Sequence, residues 1–353
     1  MLTFYLATLL PLPLLVAAGV LGGYWTLAAC MYLTTFVFLL DELIGYAAED
    51  AAPGTEFPAG RGLSAFLGVI HIPVLFLAVA TVSGATGQSA LEQVGAFIAF
   101  GIWFGHVAYS NAHELIHRTN PTAFRLGALV YGTTFYGHHV TAHRFIHHTY
   151  VGSDRDPNTS RLGESFYRFA IRAWGRAFVE GFRIETDRLR RRGQSAQVWR
   201  HPYFGYFLIN VGMLGSIFVL FSWSGIAAYL AISVYATAQI LLADYVQHYG
   251  LRREEVAPGK LEPISVEHSW NAPHPISAAL MLNAPRHSDH HAHPSKPFTT
   301  LELPDEADAP MLPASLPAMS SLALFPPLWR YVMDDRALAW RRAPAAPQNL
   351  AAE

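Results

Sequence analysis

Four short stretches of this chain gather histidine at spacings that bring imidazoles together. "HELIHR" puts His113 and His117 four residues apart, on one face of a helix. "GHHVTAHRFIHHTYVGSDRDP" repeats that spacing with His143 and His147 and adds His148. "DYVQHYGL" contributes His248. "PRHSDHHAHP" holds His287, His290 and His291 at i, i+3 and i+4, a spacing that on a helix aims all three the same way. Neutral imidazole binds iron, copper, zinc and nickel. Nine such nitrogens exceed what one metal takes, so two metals with four or five ligands each is the natural count. A catalytic metal must also keep a position open for its reactant. Affinity order does not choose the metal, because copper would win that contest.

Carboxylates near these stretches are candidates to accept N–H bonds from ligating imidazoles or to relay protons. They are Glu114, Asp156, Asp244 and Asp289, with Asp41 and Glu42 at the end of an apolar segment as further contributors. His71 and His106 sit singly in apolar runs and read as hydrogen-bonded core residues. His138, His139, His201, His268, His274 and His293 receive no role. Cys30 is the only cysteine, which excludes an internal disulfide and any cysteine-based zinc or iron–sulfur site, and it reads as a small core residue.

The elements that must position these residues are apolar helices. Of the 353 residues, 52% are hydrophobic and 14% charged, well below the charged share of soluble domains. The net charge of −2 gives no pull towards nucleic acid. Six stretches, roughly 3–22, 24–45, 63–83, 91–112, 203–222 and 226–247, are long enough to cross about 30 Å of hydrocarbon. The first lacks a basic leader region and is expected to remain as a span. The segment 113–202 carries fourteen arginines, including "RLRRR" at 188–192, which places it in the cytoplasm. Six crossings then put both termini, and every histidine cluster, on the cytoplasmic side of the inner membrane. Phe166, Ala170, Trp174, Phe178 and Phe182 recur as the apolar face of a helix lying in the headgroup region, with Arg168, Arg172 and Arg176 on another face. The expected architecture is all-α and integral to the membrane. Six transmembrane helices and a cytoplasmic helical cap form one domain over 1–340, and 341–353 is a disordered tail.

With those motifs in hand, the sequence resembles the membrane alkane 1-monooxygenases, which include xylene monooxygenases and lie within the fatty-acid-desaturase-like superfamily. Besides the four histidine boxes, the likeness takes in "LLDELIG" (39–45), "RLGESFYRF" (161–169), "HSWN" (268–271) and "LFPPLW" (324–329). The resemblance implies that His113, His117, His143, His147, His148, His248, His287, His290 and His291 hold two iron ions. It also implies that dioxygen supplies one atom to the terminal carbon of an n-alkane drawn from the bilayer. Electrons then come from rubredoxin or a ferredoxin, reduced by an NAD(P)H-dependent reductase. No CxxC pair occurs, so that carrier is expected in trans. The chain departs from the family pattern in three places. "AHRFIHH" stands for EHxxGHH, with Ala142 for the acid and Ile146 for the glycine. "DYVQHYG" stands for NYxEHYG, with Gln247 for the glutamate, and "APRH" stands for LQRH.

Three other readings compete. A fatty-acid desaturase, or a lipid or alkylaromatic hydroxylase, uses similar boxes on a similar scaffold. A zinc peptidase built on HELIH, with Glu114 as base, leaves seven of the nine histidines unexplained. A non-catalytic metal or lipid sensor rests only on the acids missing at 142 and 247.

Overall fold

A computed structural model of the protein describes residues 1–44, 50 and 58–342, so most of the expected tail lies outside the described residues. Helix α1 (Leu2–Leu21) turns into α2 (Tyr24–Ile44) through Gly22 and Gly23, whose φ values of 64° and 55° favour glycine. Helix α3 (Pro58–Val82) follows. Helix α4 (Ala90–Ile116) starts on a capping box in which Ser89 and Glu92 satisfy each other's backbone donors. Helix α5 (Pro121–Gly132) starts on an Asn120 cap with proline in its first turn. Helix α6 spans 139–150 and contains a wide π-type turn at His143–His147. Helix α7 (Phe166–Arg191) is capped by Ser165, and α8 (Pro202–His248) by His201. Short helices α9 (Pro275–Leu280) and α10 (His287–Ala292) lead to α11 (Leu316–Ala323) and α12 (Pro326–Arg342). A two-stranded antiparallel hairpin, β1 (Glu255–Ala257) and β2 (Lys260–Leu261), is the sheet among the described residues.

Five of these helices are long and apolar enough to cross a membrane: α1, α2, α3, α4 and α8. Where the sequence suggests six segments, the last two form the single 47-residue α8, interrupted at Ser222 by non-helical backbone (φ 57°, ψ −156°). Drawn out straight, that many residues would reach about 70 Å. Instead both ends return to the same neighbourhood. Tyr203 near its start donates to the Phe178 carbonyl at 2.9 Å, and a side chain at Gly137 would overlap the Tyr206 ring. Asp244 near its end accepts from Asn158 Nδ2 at 2.5 Å. The "FSWSG" stretch is thus a fold-back point.

Large apolar side chains stand exposed along these helices, including Val20, Leu27, Phe36, Phe207, Val219 and Val234. Such continuous apolar surface suits lipid rather than water. Within the bundle, Leu15, Leu67, Ala78, Phe100, Trp103 and Phe104 form the core. Around the C-terminal end of α8, a second core gathers Phe169, Tyr245, Tyr249, Trp270 and Trp329. Trp329 packs 5.3 Å from the Tyr245 ring and 5.1 Å from that of Tyr249. Burial of aromatics this size stabilises by about 1.5–3 kcal/mol each, which docks α12 onto α8.

The apolar face of α7 differs from its sequence reading. Phe166, Phe169, Ala173 and Ala177 turn inward, whereas Trp174, Phe178 and Phe182 are exposed beside Ile171 and Val179. A spacing of four drifts about 40° per step in a helix of 3.6 residues per turn, so Phe166 and Phe182 end on different sides. The helix is therefore apolar both towards the protein and away from it.

Candidate metal centre

The histidines converge from four places. His113 lies in the last turn of α4, and His117 caps its end. His143, His147 and His148 come from α6, His248 ends α8, and His287, His290 and His291 come from α10. They separate into two groups: His113, His117, His143, His148 and His290 in one, and His147, His248, His287 and His291 in the other. Within each group the candidate ligand atoms lie within 4.8 Å of one another.

Helix geometry decides this division. The π turn at His143–His147 places residues five apart on one side, so His143 shares a group with His148 while His147 turns to the other. The helix α10 likewise does not aim its three imidazoles one way. His287 and His291, one turn apart, enter the group of four, and His290 enters the group of five. The expectation of a single direction fails because α10 lies between the two groups and presents a flank to each.

The nitrogens face one another edge-on. In the larger group, Nε2 of His143 is 2.7 Å from that of His113 and 2.9 Å from that of His148, which is 3.1 Å from that of His290. In the smaller group, Nε2 of His287 is 3.0 Å from that of His248 and 3.1 Å from that of His291. Ligands held about 2.1 Å from one ion lie about 3 Å apart when adjacent. His147 Nδ1 donates to the Asp156 carboxylate at 2.8 Å, which leaves Nε2 as a bare lone pair. That Nε2, and the Nε2 of His117, are buried without a protein partner. Converging lone pairs repel unless a cation sits among them, so the donor set fits two metal ions.

Burial, followed by the neighbouring imidazoles, holds His117, His143, His148, His287, His290 and His291 well below the usual histidine range. They are neutral at pH 7, the form that ligates. His147 differs: burial lowers it, but the Asp156 carboxylate outweighs burial and raises it. Asp156 is itself raised by burial and held low overall by His147, with Thr159 Oγ1 at 2.7 Å and the Asn158 N–H at 3.0 Å completing its bonds.

The other acids fall elsewhere. Asp244 is buried, accepts from Asn158, and lines a 40 Å³ cavity with His113, His143 and His287. Glu114 pairs with Arg118 rather than with an imidazole of either group, because the helix turns it away from His113. Asp289 bonds to His293 Nδ1 and Lys296 Nζ, both at 2.8 Å, and accepts the Glu302 N–H at 2.7 Å. It fastens the segment after α10. Asp41 caps α9 through the Ile276 and Ser277 N–H groups, and Glu42 is exposed. His71 pairs with Thr133 Oγ1 at 2.9 Å, within the core.

Two contributors were not singled out in the sequence. Asn158 bridges the Asp156 and Asp244 carboxylates. Asn271, within "HSWN", accepts the Ser288 N–H at 3.0 Å, while Ser288 Oγ donates to the Ser269 carbonyl at 2.9 Å, which holds α10 in place. The motif at 268–271 was the available signal. His139 is buried beside His143, with ring centroids 5.0 Å apart, and lines the same cavity.

Comparison with known proteins now bears on this geometry. Residues 91–323 match the fatty acid desaturase family. The chain is 34% identical over 308 residues to alkane 1-monooxygenase 1 of Alcanivorax borkumensis, covering 86% of this chain and 75% of that protein. It is 31% identical over 309 residues to alkane 1-monooxygenase 2 of Pseudomonas aeruginosa, covering 86% and 81%. The chain belongs to the membrane alkane 1-monooxygenase family. The same family takes in the xylene/toluene monooxygenase hydroxylase component XylM of Pseudomonas putida, 28% identical over 341 residues covering 90% and 85%. As a member, the chain is an oxygen-inserting oxidoreductase.

The departures from the family boxes have structural partners in this alkane monooxygenase relative. Ala142 and Ile146 pack with Ala177 in a small apolar cluster that seats α6 on α7. An acid enters nearby from α7 instead, as Glu185 accepts from Thr141 Oγ1 at 2.8 Å. The amide of Gln247 donates to the Ala284 carbonyl at 3.0 Å, a bond that a glutamate carboxylate could not make. The same carbonyl also meets the His287 ring. The changes at 247 and 284 therefore lie in one contact beside a candidate ligand.

Proposed function

We propose that the nine imidazoles hold two iron ions and that the protein hydroxylates the terminal carbon of an n-alkane. The observation that carries this reading is the pair of convergent nitrogen groups, five and four, with no carboxylate among them. Once bound, the irons would supply activation of dioxygen and oxygen insertion into an unreactive C–H bond, drawing electrons from a reduced carrier.

The protein's own part is positioning. Tyr109, Ile240, Ala243 and Met281 wall the cavity next to His113 and His287, exclude water, and hold a carbon at the imidazole groups. A small cavity, of 40 Å³, beside imidazoles of both groups is consistent with a slender chain end at the metal centre. Two of its walls come from the candidate spans α4 and α8, so a hydrocarbon dissolved in the bilayer would arrive between them. Asp156 fixes the tautomer of His147, and Asp244 is the carboxylate that faces the cavity.

The break at Ser222 supports reading α8 as two crossings, which would make the total six. The arginine-rich 113–202 segment puts the metal centre and both termini at the cytoplasmic face of the inner membrane. Rubredoxin or a ferredoxin, reduced by its NAD(P)H-dependent reductase, would dock on that surface by complementary charge.

The test is expression in cells lacking alkane oxidation, with a carrier and reductase supplied, under labelled dioxygen. Labelled 1-alkanols are the expected product. An unlabelled alkene would move the assignment to desaturation, and no product from any hydrocarbon with two irons bound would overturn it.

A further inference from the structure

A second cavity, of 570 Å³, is lined by no imidazole among the described residues and lies where α3 begins and α4 ends. Its walls come from four places: the first turns of α3, the last turn of α4, helix α5, and the 297–300 segment. The floor is apolar, with Ala65, Leu115, Ala123, Leu126 and Phe298. The polar groups include two guanidinium side chains, Arg61 and Arg118. Glu114 also lines the cavity but is taken by Arg118. Arg61 is exposed, and no carboxylate pairs with it among the described residues. It is close enough to Arg118 for the two like charges to oppose each other. The first turns of the 25-residue α3 helix, its positive end, contribute Gly60 and Arg61 to the lining.

A volume in the range of ligand pockets, an apolar floor and a surplus cation at the mouth describe a site for an anionic amphiphile. Its position selects among amphiphiles. The cavity is lined by the first turns of one candidate span, Ala59–Val82, and the last turn of another, Ala90–Ile116, where a bilayer lipid would bring its phosphate and first acyl carbons together. Arginine also matches phosphate geometry with paired N–H donors. We propose that this cavity binds an anionic membrane phospholipid, its phosphate at Arg61 beside the Arg118–Glu114 pair and an acyl segment over Leu115 and Leu126. The occupant would rest against the turn of α4 that bears His113 and His117.

The test uses the full chain in phosphatidylcholine nanodiscs containing a minority of phosphatidylglycerol, with retained lipid read by native mass spectrometry. Phosphatidylglycerol should be enriched on the protein. Arg61→Gln, which keeps the cavity, should lower the enrichment about fivefold, the loss expected for one basic residue at a lipid surface. Ala123→Trp, which keeps both arginines and puts an indole where the acyl segment would lie, should lower it as well. Metal content, measured on the same samples, should not change, which separates this site from the metal centre. A photoactivatable phosphatidylglycerol on the unaltered chain should label peptides around 60–65 and 122–126. Equal retention of both lipids, enrichment in either variant equal to that of the parent, displacement by free decanoate, or labelling elsewhere would each overturn the proposal.

Discussion

His147 and His148 are consecutive in the chain, yet their imidazoles belong to different groups, with ring centroids 5.9 Å apart and planes inclined by 69°. One backbone step therefore joins the two halves of the candidate centre. His147→Ala should empty the group of four and leave the group of five, and His148→Ala should do the reverse. Metal analysis of the purified variants is expected to fall from two ions to about one in each case, since each lost imidazole opens its own group. Loss of both ions from either single variant would show the groups to be one cooperative site.

The π turn makes that division possible. Inserting one alanine after Phe145 would move His147 to the fifth position from His143, the place that His148 now holds in the wide turn, and would carry His148 round to another side. Metal content should drop at both groups while far-ultraviolet circular dichroism stays helical. Retention of two ions would mean that the turn does not set the division.

Asp156 accepts from His147 Nδ1 at 2.8 Å and holds the ring in one tautomer. Asp156→Asn keeps size but offers an amide that is neutral and can also turn a donor towards the ring. Metal affinity of the group of four should weaken by about 10- to 100-fold, read by chelator competition. The group of five, which does not contact Asp156, should be unaffected.

Gln247→Glu restores the residue usual in the family box and is expected to destabilise this chain. It places a carboxylate oxygen against the Ala284 carbonyl, two acceptors without a proton between them. The cost should be about 1–3 kcal/mol, seen as a lowered melting temperature. A rise in stability would show that the Gln247–Ala284 contact is not what the residue is for.

Arg172 ties α7 to the loop that carries Asp156, through Glu164 at 2.7 Å and the Pro157 and Thr159 carbonyls. Burial raises the Glu164 carboxyl, but Arg172 and the Arg161 N–H outweigh it and hold it below the usual range. A depressed folded value means that this pair stabilises above the ordinary glutamate range. That stability is lost as pH falls through the range and below it. Arg172→Ala should therefore lower the melting temperature at pH 7, and the gap between variant and parent should close towards acid pH. A gap independent of pH would place the effect in packing alone.

Much of this protein is legible in the chain because its signals are local. Apolar runs mark spans, since the hydrocarbon thickness demands a fixed length of helix. Histidine spacing marked eight of the nine residues that come together, since neighbours on a helix face are set by its period, whereas His248 stands alone in its stretch. Spacing did not show how they divide. The π turn in α6 and the placement of α10 between two groups depend on packing around them, so His143 parts from His147 and His290 from His291. Nor do residue types reveal the partner of an acid. Glu114, Asp156 and Asp289 look alike beside their boxes, but only Asp156 reaches a grouped imidazole, because side-chain direction is decided by how each segment is held. The fold-back at Ser222 likewise needs the contacts of both ends of α8. Local periodicity selects which residues are chemically capable; long-range packing decides which of their atoms meet.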